Sequence, residues 1–363
     1  MSNKTKKRGP LARALRLIGI LALIILVLLA GLIGFLSATE YKPADRETLE
    51  VRGSASKTLS AGDSITVMSW NIGYGALGDN ADFFMDGGEM VTTADEARVL
   101  RNMEEIGAAI GSFEPDVLLL QETDVNSSRS HHTNEYGLIG EMLPEHCSSF
   151  ANNFKVAFLP YPVPPIGKVD SGIATFSSCQ VGEAERIQLP IPFSWPIRMA
   201  NLKRCLLISR IPISGTDREL VLVNLHLEAY DDGEGKVAQT KMLAGILEEE
   251  AAAGNYVIAG GDFNQIFSNA DQDAYPVYPG NWIAGEVDTD AFEGGWQFLM
   301  DASSPTCRSL DKVYAGADHE TFQYYLIDGY IVSENIRVDS VRTEDLHFSA
   351  SDHNPVVLKA TLE

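Results

Sequence analysis

The feature that most limits the possible folds of this sequence is an alternation of short apolar runs with amphipathic segments. The amphipathic segments, 93–110 and 235–252, repeat apolar residues every three or four positions and predict helices. Thr93 and Glu96 have the spacing of a capping box at the start of the first. The apolar runs predict buried strands, at 66–70, 117–120, 172–176, 204–209, 220–225, 256–259, 325–327 and 356–358. The alternation predicts an α/β fold.

Polar side chains that could bind a metal or transfer a proton lie repeatedly at the ends of these predicted strands. Taken alone, Glu122 is more often a solvated loop acid than a functional residue. His226 lies between two leucines, where a lone histidine is more often a buried core residue. A packed strand is rigid, however, and several such ends can hold side chains over one cleft. The full set combines carboxylates, amides and imidazoles: Asn71, Glu122, His226, Asp262, Asn264, Asp328, Asp352 and His353. Such an oxygen-rich set suits Mg²⁺ or Mn²⁺, and its histidines suit proton transfer and charge stabilisation at a phosphate.

An uninterrupted apolar segment, 17–36, lies near the N-terminus. Twenty helical residues span about 30 Å, the thickness of a bilayer core. All the basic residues of segment 1–36 precede the apolar run, so we expect a cytoplasmic N-terminus (1–16), a single transmembrane helix, a linker (37–62) and an extracytoplasmic catalytic domain (63–363) in the cell membrane. A cleaved signal peptide is the alternative, although the run is longer than usual for one.

The exported part is strongly acidic. The chain has a formal net charge of −22, although its first 36 residues carry only basic charges. Non-specific binding to nucleic acid depends on Lys and Arg, so an extended DNA-reading surface is not expected. The acidic residues keep the protein soluble, or some of their carboxylates bind a cation. The four cysteines are not spaced as metal ligands usually are, and the sequence does not decide whether any two form a disulfide: Cys147, Cys179, Cys205 and Cys307.

Six short segments, in order, resemble the motifs of the endonuclease/exonuclease/phosphatase superfamily, which contains deoxyribonucleases, apurinic endonucleases, bacterial sphingomyelinases and inositol polyphosphate phosphatases. They cover roughly 65–360 and are Ser69-Trp70-Asn71-Ile72, Leu120-Gln121-Glu122, Asn224-Leu225-His226-Leu227, Gly261-Asp262-Phe263-Asn264, Leu326-Ile327-Asp328-Gly329 and Ser351-Asp352-His353-Asn354-Pro355. The resemblance implies a four-layer α-β-β-α sandwich of two mixed sheets. Apurinic endonucleases carry an acid where this chain has Gly73, which argues against a close match to them.

The resemblance also implies roles for the motif residues in proton chemistry. Asp262, with Asn264 beside it, is expected to orient and deprotonate the attacking water. His353, oriented by Asp328, is expected to contact the scissile phosphate. His226 is expected to stabilise the charge that develops on the non-bridging oxygens.

A metal site and a phosphate contact complete the implied centre. Asn71 and Glu122 are expected to hold Mg²⁺ or Mn²⁺, with Asp352 completing the shell. The segment Asp170-Ser171-Gly172-Ile173-Ala174 resembles one that faces the phosphate in many members, and Ser171 with Lys168 is the expected phosphate contact.

The substrate is left open between a phospholipid head group, an inositol phosphate and extracellular nucleic acid, with a catalytically silent binding domain as the alternative from another class. Specificity is expected in the loops 73–92, 123–170, 182–200 and 265–300. Aromatic residues are candidates for a substrate wall, although ordinary packing explains them as well: Trp195, Trp282, Trp296, Tyr275 and Tyr278. One part of the sequence is richer in basic residues, which either bind phosphate or form a solvated face: Lys155, Lys168, Arg198, Lys203 and Arg204.

Overall fold

The computed structural model describes residues 9–231 and 233–363. The α-helices in these residues are α1 (Pro10–Thr39), α2 (Glu96–Phe113), α3 (Glu135–Met142) and α4 (Glu234–Ala252). The strands are β1 (Arg46–Thr48), β2 (Leu59–Ser60), β3 (Ser64–Asn71), β4 (Val117–Asp124), β5 (Cys147–Leu159), β6 (Gly167–Ser177), β7 (Glu183–Gln188), β8 (Cys205–Ser214), β9 (Glu219–His226), β10 (Tyr256–Asp262), β11 (Gln265–Phe267), β12 (Gly285–Val287), β13 (Trp296–Leu299), β14 (Cys307–Arg308), β15 (Tyr324–Tyr325), β16 (Asp328–Ser333), β17 (Ile336–Thr343) and β18 (Val356–Leu362).

Two mixed sheets form the body. The first has the order β1-β7-β8-β9-β10-β16-β13, with β2 paired to β8, and the second has the order β17-β18-β3-β4-β6-β5. Each has a parallel pair near its centre, β9 with β10 and β3 with β4, flanked by antiparallel partners. The predicted α/β class with two mixed sheets is confirmed.

The central strands are apolar on both faces because both faces are covered. In β10, Tyr256 and Ile258 point into the core between the two sheets, whereas Val257 and Ala259 point outward into the cluster that includes α4. In the second sheet, β3 and β4 contribute in the same way to the core between the sheets and to an outer cluster with α2 and α3. This double burial explains the uninterrupted apolar runs of the sequence.

The helices follow the predicted periodicity with two corrections. Asp95, not Thr93, caps α2: its side chain accepts the N–H of Arg98 at 2.7 Å, while Thr93 is buried ahead of the helix. The capping-box prediction was therefore wrong, since Asp95 itself is a strong capping residue. In α4, Val237 is exposed because the apolar contact with the sheet begins only at Met242.

The segment 37–62, for which the sequence predicts a linker, pairs with the first sheet. β1 is antiparallel to β7 and β2 is parallel to β8. An edge strand needs backbone partners on one side only, so the polar sequence of β1 carried no strand pattern. The predicted strand 325–327 is also shifted, because Tyr324 and Tyr325 pair with β14 and a new strand, β16, begins at Asp328.

Helix α1 extends away from the body. It has a mean hydropathy of 3.1 over its most apolar window, none of which is buried, and by length and composition it fits a signal sequence or a membrane anchor. Its C-terminal end contacts the body: Ser37 Oγ lies 3.0 Å from Met199 Sδ, and the following Glu40 pairs with Arg198 at 3.1 Å and Lys203 at 3.6 Å. Half of the predicted segment 1–16, residues 1–8, lies outside the described residues.

Candidate active site

Strand register brings the predicted residues of the first sheet side by side. Asp262, the last residue of β10, is paired with His226 on parallel β9 and with Asp328 on antiparallel β16. Asn71 ends β3 in the second sheet, and its amide Nδ2 lies 3.1 Å from Asp262 Oδ2. The ends of strands from both sheets therefore meet over one cleft.

The Asp262 carboxylate is at the centre of this cluster. Its Oδ2 lies 3.3 Å from His226 Nε2 and 3.8 Å from His353 Nε2, and its Oδ1 accepts the backbone N–H of Asn264 at 2.8 Å. Burial, and then the neighbouring charge of Asp328, raise the pKa of Asp262 to about 7. A carboxylate with this pKa is suited to general-base chemistry near neutral pH.

His353 is held as a charged group by Asp328. Its Nδ1 donates to Asp328 Oδ2 at 2.9 Å, and its backbone carbonyl accepts the indole N–H of Trp70 at 2.9 Å. Burial alone would lower the pKa of His353, but the negative charge of the hydrogen-bonded Asp328 outweighs it and raises the pKa well above its usual value. The imidazolium form is therefore available to an anionic substrate.

His226 has the opposite electrostatic character. Burial, with a contribution from the positive charge of Arg204, lowers the pKa of His226 well below its usual value. Among the residues that the structure describes, none hydrogen-bonds the buried Nδ1 of His226. Two histidines flank one carboxylate, one biased to the charged and one to the neutral form, so the environment distinguishes their roles.

Two site residues occupy left-handed backbone conformations. Glu122 has φ 51° and lies where the pairing of β4 with β6 is interrupted between Leu120 and Thr123. Asn264 also has φ 51°, and its side-chain Nδ2 donates to the Leu227 carbonyl at 2.9 Å. Such conformations are uncommon for non-glycine residues and cluster at functional sites. Here the interruption within β4 turns Glu122 into the cleft.

Asn71 contacts the cluster through its nitrogen. Its Oδ1 accepts the backbone N–H of Gly73 at 3.0 Å, and its Nδ2 lies 3.1 Å from Asp262 and 3.4 Å from Glu122. The side-chain oxygen thus bonds to the turn that follows β3, and the nitrogen donates toward two carboxylates. A metal contact from Asn71 stays a prediction.

The carboxylates expected to hold a divalent cation, Glu122 and Asp352, both line the cleft. Burial and the nearby Glu122 charge raise the pKa of Asp352 to about 6 despite His353, so the two carboxylates repel each other in the absence of a counterion. Cys307 lies close to Asp352 and His353, but burial raises the pKa of its thiol to about 12, so it offers no thiolate. The remaining oxygen donors suit Mg²⁺ or Mn²⁺ rather than Zn²⁺.

Gly73 is required by the close approach of Asp352. It has φ +52°, and a Cβ at this position would lie 2.8 Å from Asp352 Oδ1 and 2.9 Å from Leu77 Cβ. The position that carries an acid in apurinic endonucleases therefore has no room for a side chain here. This explains in physical terms the departure noted in the sequence.

The predicted phosphate contacts divide into one residue in the cleft and one outside it. Ser171 lines the cleft and its Oγ accepts from Arg129 Nη2 at 3.2 Å, whereas Lys168 is not among the lining residues. Arg129, which sequence reasoning missed, lies 3.8 Å from Glu122, pairs with buried Asp124 at 2.9 Å and stacks 3.7 Å from the Tyr74 ring centroid. A single arginine in a long loop gave no sequence signal.

The other basic residues of the predicted stretch are engaged in ion pairs. Arg204 lies 3.4 Å from buried Glu228 and donates to the His226 carbonyl at 3.1 Å. Lys203 and Arg198 pair with Glu40, and Lys155 pairs with Asp170 at 3.4 Å. They position backbone segments and the end of α1, and of this stretch only Arg204 lines the cleft.

The cleft has a volume of about 430 Å³ and receives lining residues from all four loops expected to set specificity. The acid and histidine cluster forms part of its lining. The lining also includes an apolar wall, made of Phe83, Phe84, Phe154, Leu159, Tyr161, Phe193 and Leu202. Of the candidate aromatic residues, Trp282 lines the cleft, whereas Trp195, Trp296, Tyr275 and Tyr278 do not.

Comparison with known proteins agrees with this geometry. The model of the Endonuclease/Exonuclease/phosphatase family matches residues 68–353, which include the first five motifs in full and the sixth as far as His353. The chain belongs to this family. It is therefore a phosphoesterase, in a family that typically depends on divalent metals, and the acid and histidine cluster is its candidate active site. No curated protein sequence matches the chain.

Solved structures of other family members share the fold. An endonuclease/exonuclease/phosphatase from Beutenbergia cavernae is 19% identical over 82% of this chain and 72% of that chain, with a TM-score of 0.56. One from Bacteroides vulgatus is 15% identical over 83% of this chain and 100% of that chain, with a TM-score of 0.54. Truncated TDP2 from Caenorhabditis elegans is 17% identical over 83% of this chain and 99% of that chain, with a TM-score of 0.51. At these identities the likeness extends to the fold alone.

Proposed function

We propose that this phosphoesterase is a membrane-anchored, extracytoplasmic hydrolase that uses Mg²⁺ or Mn²⁺ and an activated water to cleave phosphodiester or phosphomonoester bonds. The observation that carries the proposal is the position of Asp262 beside two histidines, in one cleft with Glu122 and Asp352. In the proposed layout, residues 63–363 are the catalytic sandwich and 17–36 the membrane span.

Glu122 and Asp352 would hold the cation, which when bound supplies positive charge to the phosphate oxygens. Asn71 would keep Glu122 and Asp262 in place through its amide nitrogen. Arg129, close to Glu122, would add a fixed positive charge at the same end of the cleft. These groups offset the repulsion between an anionic phosphate and an incoming water.

Asp262 would take a proton from the water as the water oxygen bonds to phosphorus. The P–O bond to the leaving group would break in line with the attack, the departing alkoxide would take a proton from solvent water, and Asp262 would later release its own proton to solvent. Asn264 fixes the orientation of Asp262 through the bond from its backbone N–H. His353, charged and held by Asp328, would donate to a non-bridging oxygen through Nε2, and neutral His226 would provide a second contact as negative charge develops.

The test is an assay of the full-length protein in detergent against plasmid DNA, sphingomyelin and inositol phosphates, with Mg²⁺ and with EDTA. We expect hydrolysis of at least one substrate with Mg²⁺, its loss in EDTA, and its loss in Asp262→Ala. Activity on DNA alone would assign a nuclease. A folded protein without activity on any of the three would favour the silent binding domain.

A further inference from the structure

Two loops beside the cleft expose large apolar side chains. The 160–166 loop joins β5 to β6, and its Val163 is 93% exposed. The 189–204 loop joins β7 to β8, and its Trp195 and Ile197 are 57% and 63% exposed. Neighbouring exposed apolar groups of this size mark interaction surfaces, and tryptophan is enriched where proteins meet the membrane interface.

The apolar helix α1 ends against the same face of the body. Ser37 contacts Met199 of the 189–204 loop, and Glu40 pairs with Arg198 and Lys203 of that loop. Helix α1 also contacts β5, the strand that leads into the 160–166 loop. If α1 spans a bilayer, its end lies at the bilayer surface, and both loops lie there with it.

Both loops contribute lining residues to the catalytic cleft. Leu159, Tyr161 and Ile166, in or next to the 160–166 loop, line the cleft, and so do Phe193 and Leu202 of the 189–204 loop. The Tyr161 ring packs edge-on against Phe84 at 5.6 Å, which extends the apolar wall inward. The loops that carry the exposed tips therefore share one cleft with the acid and histidine cluster.

We propose that the 160–166 and 189–204 loops insert their tips into the outer surface of the bilayer that holds α1, and that the cleft takes the phosphate-ester head group of a membrane lipid. The phosphate would lie on the acid and histidine cluster, and the apolar part of the lipid next to it would lie along the wall. This inference rests on the proposed hydrolase function and names its substrate class.

The charge of the chain favours a membrane lipid over a free phosphate ester as the substrate. With a net charge of −22, the protein repels anionic solutes in solution. A tether at the membrane offsets that repulsion by keeping lipid at a high effective concentration beside the cleft. A free inositol phosphate or a nucleotide would also leave most of the apolar wall without a partner.

Bilayer contact is tested without any catalytic readout. The full-length protein is placed in phosphatidylcholine nanodiscs with ordinary or brominated acyl chains, and its tryptophan fluorescence is compared with that of Trp195→Phe. We expect brominated lipid to quench the wild type, and most of that quenching to be absent in the variant. Equal fractional quenching of the two proteins would overturn the insertion of the loops.

The substrate class is tested by hydrolysis in the same nanodiscs. Sphingomyelin and phosphatidylinositol 4-phosphate are compared with the soluble diester bis(p-nitrophenyl) phosphate, for the wild type, Val163→Asp, Ile197→Asp and the matched control Val277→Asp. Val277 is 58% exposed, outside both loops and outside the cleft lining. We expect Val163→Asp and Ile197→Asp to lower lipid hydrolysis at least tenfold and to leave the soluble diester unchanged, while Val277→Asp changes neither.

The outcomes separate the two proposals. Hydrolysis of the soluble diester without hydrolysis of either lipid would overturn the lipid assignment and leave the hydrolase standing. Equal loss on lipid and soluble substrates in the loop variants would also overturn it. Failure on every substrate would overturn the hydrolase function and the lipid substrate with it, while the quenching experiment still decides whether the loops enter the bilayer.

Discussion

Asp262 and Asp328 lie opposite each other on β10 and β16, yet their carboxylates approach different histidine nitrogens. Asp328 accepts from His353 Nδ1 at 2.9 Å, whereas Asp262 lies 3.3 Å from His226 Nε2 and 3.8 Å from His353 Nε2. One carboxylate therefore orients an imidazole, and the other is left to act on water. This division of labour leads to separate expectations for the two acids.

Asp262→Ala should remove the general base. We expect kcat to fall by about 10²–10⁴-fold, the usual contribution of general acid–base catalysis, with little loss of stability because the variant relieves a buried charge. The measurement is steady-state hydrolysis with Mg²⁺, together with a melting temperature. Asp217→Asn, in the exposed turn after β8, is the control with another acid changed. Near-normal activity in Asp262→Ala would contradict the assignment.

Asp328→Asn should act through His353. Without the carboxylate on Nδ1, the pKa of His353 falls and the imidazolium is lost at lower pH. We expect a lower kcat and a descending alkaline limb of the pH–rate profile that moves toward neutral pH. A profile that keeps its wild-type shape while kcat drops would assign Asp328 a merely structural role.

Divalent metal should stabilise the protein more at higher pH. The folded-state pKa of Asp352 is raised to about 6, so without metal its protonated form stabilises the fold at low pH, and that stability is lost as pH rises through about 6. A cation binds the deprotonated form. Thermal unfolding with and without Mg²⁺ should therefore show a larger gain at pH 8 than at pH 5. An Asp352→Asn protein that kept the same pH-dependent gain would exclude Asp352 as a ligand.

Gly73→Ala should weaken metal binding as well as the fold. A Cβ at this position meets Asp352 Oδ1 at 2.8 Å, in addition to the strain of φ +52°, which costs about 1–2 kcal/mol for a non-glycine residue. Gly62→Ala is the matched control, because Gly62 has φ +92° and open space around its Cβ position. Melting temperatures and Mg²⁺ titrations should show destabilisation in both variants and a loss of Mg²⁺ affinity only in Gly73→Ala.

Arg129→Lys should raise KM more than Lys168→Ala does. Arg129 reaches the cleft with a planar group bonded to Asp124 and Ser171, and a lysine cannot reproduce both contacts. Since a charged hydrogen bond contributes about 1.5–3 kcal/mol, we expect about a tenfold rise in KM or more. Lys168 does not line the cleft, and its removal should leave KM within about twofold. A larger rise in KM for Lys168→Ala than for Arg129→Lys would support the prediction that Lys168 contacts the phosphate.

Much of the core was predictable because its signals are local. The runs that became β3, β9 and β10 are apolar on both faces, and the spacing of α2 places Val99, Met103, Ile106 and Ile110 in the core as expected. The edge strands β1 and β17 escaped prediction because half-exposed strands need no apolar pattern. Asp328 was placed at the end of a strand, whereas it begins one, because apolar residues precede it in β15 and follow it in β16 alike.

The sequence by itself determined that polar groups follow rigid apolar strands and that the chain carries one apolar N-terminal helix. Only the tertiary structure decided which of those groups touch, since the register of β9, β10 and β16 sets Asp262 beside His226 and Asp328. It also brought Arg129 and Cys307 into the cleft, turned the oxygen of Asn71 toward Gly73, and placed two apolar loops beside the end of α1. The reason is physical: strand propensity is encoded over a few residues, whereas strand pairing and loop packing join positions that are far apart along the chain.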